Sequence, residues 1–474
     1  MGRKLLWLPV FMILAGTSFA QNQPSQIRGT EVPYAGKIIE VHTYTDLITK
    51  NSKVLCSDTV NPDGSFLLNV PVSETQLVLL PLGIFQAVLF LEPGRHYQVV
   101  LPEYQPKTLA DILNPYFQPV EIYLGISNPD SFDINLQVAD FNERYHGFID
   151  ANSNKMMLGA SEAKIDSVIE LIESKYTGNS NLYFRNFRNY KYAWLKYGTV
   201  MRDSRYVVRE YFRNQPILYE NTSYMDLFNQ LFTNYLSFYM NSKEGQRLYS
   251  DIAYAKSPTY IYQTFSNNMA LTSDSLQELV LLKGLYDAFY TGDFPIQSLL
   301  VTLDSIACCP KVACHAQIAQ NIRTKVLQAR VGFPAPTFEL YDAQGNLRKL
   351  SDFQTNYIYL NFISVKSFPS QQDLELMKQL YERHQNDFKL VSISIDEDIE
   401  EVQKYFNEHG YNWPVLSYMN HKNIIDEFKV KAYPTYYLID PEGNLVMSPA
   451  NSPSENFEWS FFKLMQSKMR NQNR

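Results

Sequence analysis

The sequence predicts a multi-domain protein with an N-terminal antiparallel β-sandwich, a central all-α region and a C-terminal α/β region. Three observations lead there. The apolar pattern has period two up to about Gln118 and becomes helical beyond Asn128, the proline-rich stretch Val331–Pro336 ends the helical pattern, and strands and helices alternate after it. At 474 residues the chain exceeds one compact core, since single domains usually hold roughly 100 to 200 residues. The expected division is a 1–20 export segment, a 21–128 β-sandwich domain, a 129–330 helical domain and a 331–474 α/β domain.

Hydrophobic residues make up 45% and charged residues 19% of the chain, with 34 Tyr and 29 Phe, which is the composition of a folded protein. The formal net charge of -7 argues against nucleic acid and against an anionic membrane as partners, because both require a concentrated basic face. Arg3 and Lys4 precede an apolar run from Leu5 to Ala15 and the small-residue pattern Ser18-Phe19-Ala20. These are the parts of a cleavable secretory signal. The apolar run is shorter than the roughly 20 residues needed to span a bilayer, so an exported protein without stable membrane insertion is expected, in the periplasm.

From Ile27 to Gln118, Ile39, Val41 and Thr43 alternate with Ile38, Glu40 and His42. Phe66, Leu68 and Val70 alternate in the same way after the turn Asn61-Pro62-Asp63-Gly64. Leu77–Leu80 and Ala87–Leu91 read as buried strands, and His96–Val100 as another. In the central region Ile165, Val168, Ile169 and Ile172 follow a start signal at Ser161, and Leu279, Leu282, Leu285, Tyr286 and Phe289 follow a capping box at Ser275 and Glu278. The aromatic stretch Leu182–Tyr197 has the composition of a base- or sugar-stacking surface, but at helical spacing it reads as helix packing.

Beyond the hinge, Phe338–Tyr341, Leu347–Leu350, Tyr357–Ile363, Phe388–Ile395, Thr435–Ile439 and a run from Leu445 read as strands. Helices are expected over Leu374–Tyr381, Ile399–His409 and Trp459–Met465. The segments VGFPAPTFELYDAQGNLRKLSDF (331–353), YIYLNF (357–362), LVSISIDED (390–398) and VKAYPTYYLIDPEGNLV (430–446) occur in an order that resembles the exported thioredoxin-like, or redoxin, proteins related to thiol-disulfide oxidoreductases of cytochrome maturation. The resemblance covers roughly the last 144 residues and implies a C-terminal thioredoxin fold.

In that family the strand ending in Asn-Phe leads into Trp-Cys-x-x-Cys, whose first thiol is activated at a helix N-terminus. Counting from Asn361-Phe362 places Lys366 on the tryptophan and Ser367 and Ser370 on the two cysteines. A serine pair stores no electrons. The sequence offers no G-x-S-x-G elbow or neighbouring histidine to make a nucleophile of Ser367, so helix capping by Ser367 or Ser370, with Asp373 adding charge, is the expectation. The resemblance also implies a cis-proline at Pro434. It is retained either for packing or as one wall of a peptide-binding face formed by Phe368, Tyr433 and Pro434.

Outside this region, Cys308, Cys309 and Cys314 lie close to His315. A short-loop disulfide fits an oxidising compartment. A zinc site suffers from the poor geometry of vicinal ligands, and a displaced redox centre is the remaining enzymatic possibility. No metal or cofactor is required. Two functions follow: a redox-inactive envelope module that binds peptide or protein, and a thiol-disulfide oxidoreductase of envelope redox homeostasis.

Overall fold

The computed structural model describes residues 24–114, 116–157, 162–198 and 204–472. The expected secretory segment and the start signal at Ser161 lie outside these residues.

The N-terminal strands are β1 (Ser25–Thr30), β2 (Ile38–Tyr44), β3 (Ser52–Thr59), β4 (Ser65–Val70), β5 (Gln76–Leu82), β6 (Phe85–Leu91), β7 (His96–Val100), β8 (Val120–Tyr123) and β9 (Gly125–Ile126). They form two sheets, ordered β4-β1-β7-β9 and β3-β2-β5-β6-β8. The alternation expected in β2 and β4 is present, with Ile39, Val41, Phe66, Leu68 and Val70 buried in one core to which both sheets contribute. The expected purely antiparallel arrangement is corrected: β1 runs parallel to β7, and β6 runs parallel to β8. The chain leaving β7 crosses back over Gly83 before entering β8. A Cβ at Gly83 would lie 2.0 Å from the Gln105 carbonyl oxygen, and Ile84 N–H donates to that oxygen at 2.9 Å.

Helices from Ile134–Met157 to Ala313–Leu327 occupy the middle of the chain. They bury two apolar cores, and strand-region residues enter both. Leu47 and Ile48 join Phe228 and Leu279 in one, and Phe90 joins Phe141, Phe184 and Phe187 in the other. The aromatic stretch forms the helix Leu182–Lys196, whose Phe184, Phe187, Tyr190 and Tyr192 are buried as packing residues. Asn181 caps it by accepting from Phe184 N–H at 3.0 Å. The helix carrying Leu279 is capped by Ser273, two residues before the expected Ser275, and Glu278 is drawn into a buried polar cluster instead of a capping box.

The C-terminal strands are β10 (Glu339–Asp342), β11 (Leu347–Lys349), β12 (Tyr357–Ile363), β13 (Phe388–Ser394), β14 (Val415–Ser417), β15 (Thr435–Ile439) and β16 (Leu445–Ala450). They form one sheet, ordered β11-β10-β14-β13-β12-β15-β16. β12 pairs in parallel with β13 and antiparallel with β15. Every residue of β12 is buried, because both faces of the sheet are covered, which is why its sequence is apolar apart from Asn361, whose amide donates to Met377 Sδ at 3.2 Å. Tyr359 and Ile363 face one core with Leu374 and Met377, and Leu360 and Phe362 face the other with Phe428 and Tyr437. The closing helix, Phe457–Gln472, buries Phe457 and Phe461, while Trp459 is 59% exposed. Phe457 stacks on Tyr359 with ring centroids 3.7 Å apart. The proline-rich hinge is pinned to this sheet: Gly332 N–H donates to the Leu445 carbonyl and Ala335 N–H to that of Gly443.

Candidate functional site

The end of β12 leads through Ser364–Lys366 into the helix Phe368–His384. Ser367 is the N-cap residue and Pro369 lies in the first turn, where a missing N–H costs no intrahelical bond. The expected cap itself is corrected. The Ser367 hydroxyl makes no capping hydrogen bond and lies 3.5 Å from the Tyr433 carbonyl oxygen. Asp373 lies beyond the first turn and accepts from the Tyr436 hydroxyl at 2.8 Å. Ser370 is fully buried and its hydroxyl has no hydrogen-bond partner among the described residues.

The Tyr433–Pro434 peptide bond is cis, facing the helix start across the Ser367–Tyr433 approach. Tyr433 and Pro434 are half-buried, and burial pushes the Tyr433 phenol up to about 12. Phe368 projects from the first turn and is 67% exposed, so the helical region does not cover it. The structure therefore brings Ser367, Phe368, Tyr433 and Pro434 to one end of the helix.

Sequence reasoning missed what holds the loop. Asp396, at the end of β13, is buried and accepts from the Ser364 hydroxyl at 2.7 Å, Val365 N–H at 2.8 Å and the Ser394 hydroxyl at 2.9 Å. Its signal was an acidic residue directly after the buried strand in LVSISIDED. Lys366 pairs with Glu401 at 3.2 Å, and that contact holds its ammonium above the ordinary value. The site thus has a fixed loop, two hydroxyls and no thiol. Neither hydroxyl contacts a basic group among the described residues, so the arrangement lacks what would activate one as a nucleophile.

The cysteine cluster lies apart, in the helical region. Cys308 ends the helix Ile296–Cys308, Cys309 caps it, and Cys314 is the second residue of the helix Ala313–Leu327. The expected disulfide is not formed here: all three are exposed free thiols, with the Cys308 and Cys309 sulfurs 3.6 Å apart. Hydrogen bonds close the loop instead. Glu278 accepts from Lys311 N–H at 2.7 Å and from the Tyr262 hydroxyl at 2.8 Å, and bonds His315 Nδ1 at 2.7 Å; His315 Nε2 contacts the Tyr219 hydroxyl at 2.8 Å. Burial pushes the Glu278 carboxyl up, but these hydrogen bonds outweigh it and hold the group below its ordinary value. Among the described residues no group of His, Cys, Asp and Glu is gathered to hold a metal ion.

The C-terminal sheet, flanked by helices and carrying a cis-proline opposite a helix start, defines a thioredoxin-like domain. Residues 331–448 match the AhpC/TSA family, so this part of the chain is a redoxin-family domain. The thiol-disulfide oxidoreductase ResA of Bacillus subtilis is 26% identical over 135 residues, which is 28% of this chain and 75% of that protein. ResA of Bacillus anthracis is 28% identical over 118 residues, 25% of this chain and 68% of that protein. Among solved structures, the thioredoxin domain of a thiol-disulfide oxidoreductase from Bacteroides vulgatus is 20% identical, covers 28% of this chain and 95% of its own, and has a TM-score of 0.26.

Proposed function

We propose that this chain is an exported, redox-inactive module of the cell envelope whose thioredoxin-like domain binds a peptide or protein on the face formed by Phe368, Tyr433 and Pro434. The observation that carries the reading is the pair Ser367 and Ser370 at the start of the helix facing cis-Pro434, because a site with no thiol there exchanges no disulfide. The exposed Phe368 at the same end of the helix as the half-buried Tyr433 and Pro434 supports contact with a partner, since an exposed large apolar side chain gains from being covered. Export rests on the signal pattern of Met1–Ala20, and the periplasm is the proposed location. In this reading the 21–128 β-sandwich domain and the 129–330 all-α domain serve as scaffold for the 331–474 domain.

Phe368→Ala is the direct test. Loss of a protein that co-purifies from the native envelope, at unchanged melting temperature, supports the reading, and retention of that partner refutes it. A second reading, a thiol-disulfide oxidoreductase working through Cys308, Cys309 and Cys314, is favoured by the exposure of all three thiols and by the family of the C-terminal domain.

A further inference from the structure

A cleft of about 400 Å³ opens between helices of the central region, within the roughly 300 to 1,000 Å³ usual for small-molecule sites. Three polar groups that line it have unmet bonding capacity. Ser223 is 2% exposed and its hydroxyl has no partner among the described residues. The Asn229 amide nitrogen donates to the Leu47 carbonyl at 2.8 Å, yet its buried Oδ1 accepts nothing. Lys191 is half-buried, and no carboxylate among the described residues lies within ion-pair distance of it; its ammonium lies 5.6 Å from the Phe187 ring centroid. The second lysine of the cleft, Lys283, differs: both oxygens of Asp287 accept from it, at 2.6 and 2.7 Å.

The cleft therefore offers one cation with no carboxylate at ion-pair distance among the described residues, one free hydroxyl and one free carbonyl acceptor; Asp226, paired with Lys50 at 3.3 Å, and the partly exposed Trp194 also line it. Buried polar atoms left without partners are destabilising, so a ligand that hydrogen-bonds to them gains binding free energy. Burial also holds the Lys191 ammonium below its ordinary value, the nearby Asp226 offsetting this only in part, and an anion beside it would relieve that penalty. The group completing Lys191 and Ser223 is an acceptor with negative charge. The group completing Asn229 Oδ1 is a donor. The apolar face of Trp194 suits a flat or apolar side chain.

We propose that this cleft binds a small carboxylate with an N–H donor on the adjacent carbon, the chemistry shared by a free α-amino acid and the C-terminal residue of a peptide. The carboxylate meets Lys191 and Ser223, the N–H meets Asn229 Oδ1, and the side chain lies against Trp194. This site is independent of the face around Phe368 and adds a small-molecule function to the helical region.

The test is isothermal titration calorimetry on the full chain with three probes: L-phenylalanine, N-acetyl-L-phenylalanine and L-phenylalanine amide. At least one of the two acids binds, and the amide, which lacks the carboxylate, binds about tenfold or more weakly, as loss of a charge-assisted hydrogen bond predicts. Preference for the free amino acid identifies that source, and preference for the acetylated form identifies a peptide C-terminus. Lys191→Met weakens the preferred acid about tenfold and leaves the amide unchanged, and Trp194→Ala weakens both, with melting temperatures confirming that each variant is folded. Equal binding of acid and amide, no effect of Lys191→Met in a folded variant, or no binding of any probe at millimolar concentration, which would leave water alone in the cleft, overturns the proposal.

Discussion

The Ser367 hydroxyl lies 3.5 Å from the carbonyl oxygen of Tyr433, so the residue at the helix start and the residue before cis-Pro434 approach each other across the site. Under the proposed function the helix start and cis-Pro434 form a docking face, and neither Ser367 nor Ser370 offers a thiol. Introducing thiols there is therefore informative. Ser367→Cys with Ser370→Cys is expected to bring measurable reduction of insulin disulfides with dithiothreitol as reductant. Activity at the buffer rate in a folded double variant would show that Lys366 or the loop bound to Asp396 has changed the site as well.

Ser370 and Ser364 should respond in opposite senses to alanine. The Ser370 hydroxyl is buried without a partner, so Ser370→Ala removes an unpaired group and is expected to stabilise the protein by roughly 1 kcal/mol. Ser364→Ala leaves the buried Asp396 short of a donor and is expected to destabilise by roughly 1 to 3 kcal/mol. Urea denaturation midpoints check both.

Glu278 makes stability depend on acid. Its folded value lies below the 4.5 of an ordinary glutamate, so its contribution is fully present above that pH and is lost as pH falls through the folded value. Glu278→Gln is expected to destabilise by roughly 1 to 3 kcal/mol at pH 7, and to lose less stability than the parent between neutral pH and acid. Melting temperatures measured from pH 7 to pH 3 that run parallel for the two proteins would contradict this.

The thiols of the 308–314 loop are exposed and close in sequence. Mild oxidation is expected to join Cys314 to one of the adjacent pair, adding roughly 2 kcal/mol for so short a loop. Non-reducing peptide mapping that finds all three free after oxidation would refute it.

The readability of this chain in its sequence follows from where local pattern decides structure. β12 and the helix Ile399–His409 fall on the expected residues, because a run that is apolar but for Asn361 and an Asp398 cap are local signals. β14 was not legible, since three residues carry no period. The parallel pairing of β6 with β8 was hidden because it depends on a crossover resting on Gly83, and the shift of the expected cap from Ser275 to Ser273 follows from Glu278 being claimed by His315, a residue 37 positions away. At the site, the place of Ser367 and Ser370 at the helix start and the cis bond before Pro434 were legible by register. The use of the Ser367 hydroxyl and the hold of Asp396 on the loop were not, because both are long-range contacts.

Absence of disulfide exchange at the thioredoxin-like site is best checked by insulin reduction with dithiothreitol and the purified chain. The expected rate equals the buffer control. Turnover above that control which persists when Cys308, Cys309 and Cys314 are all replaced by serine would contradict it.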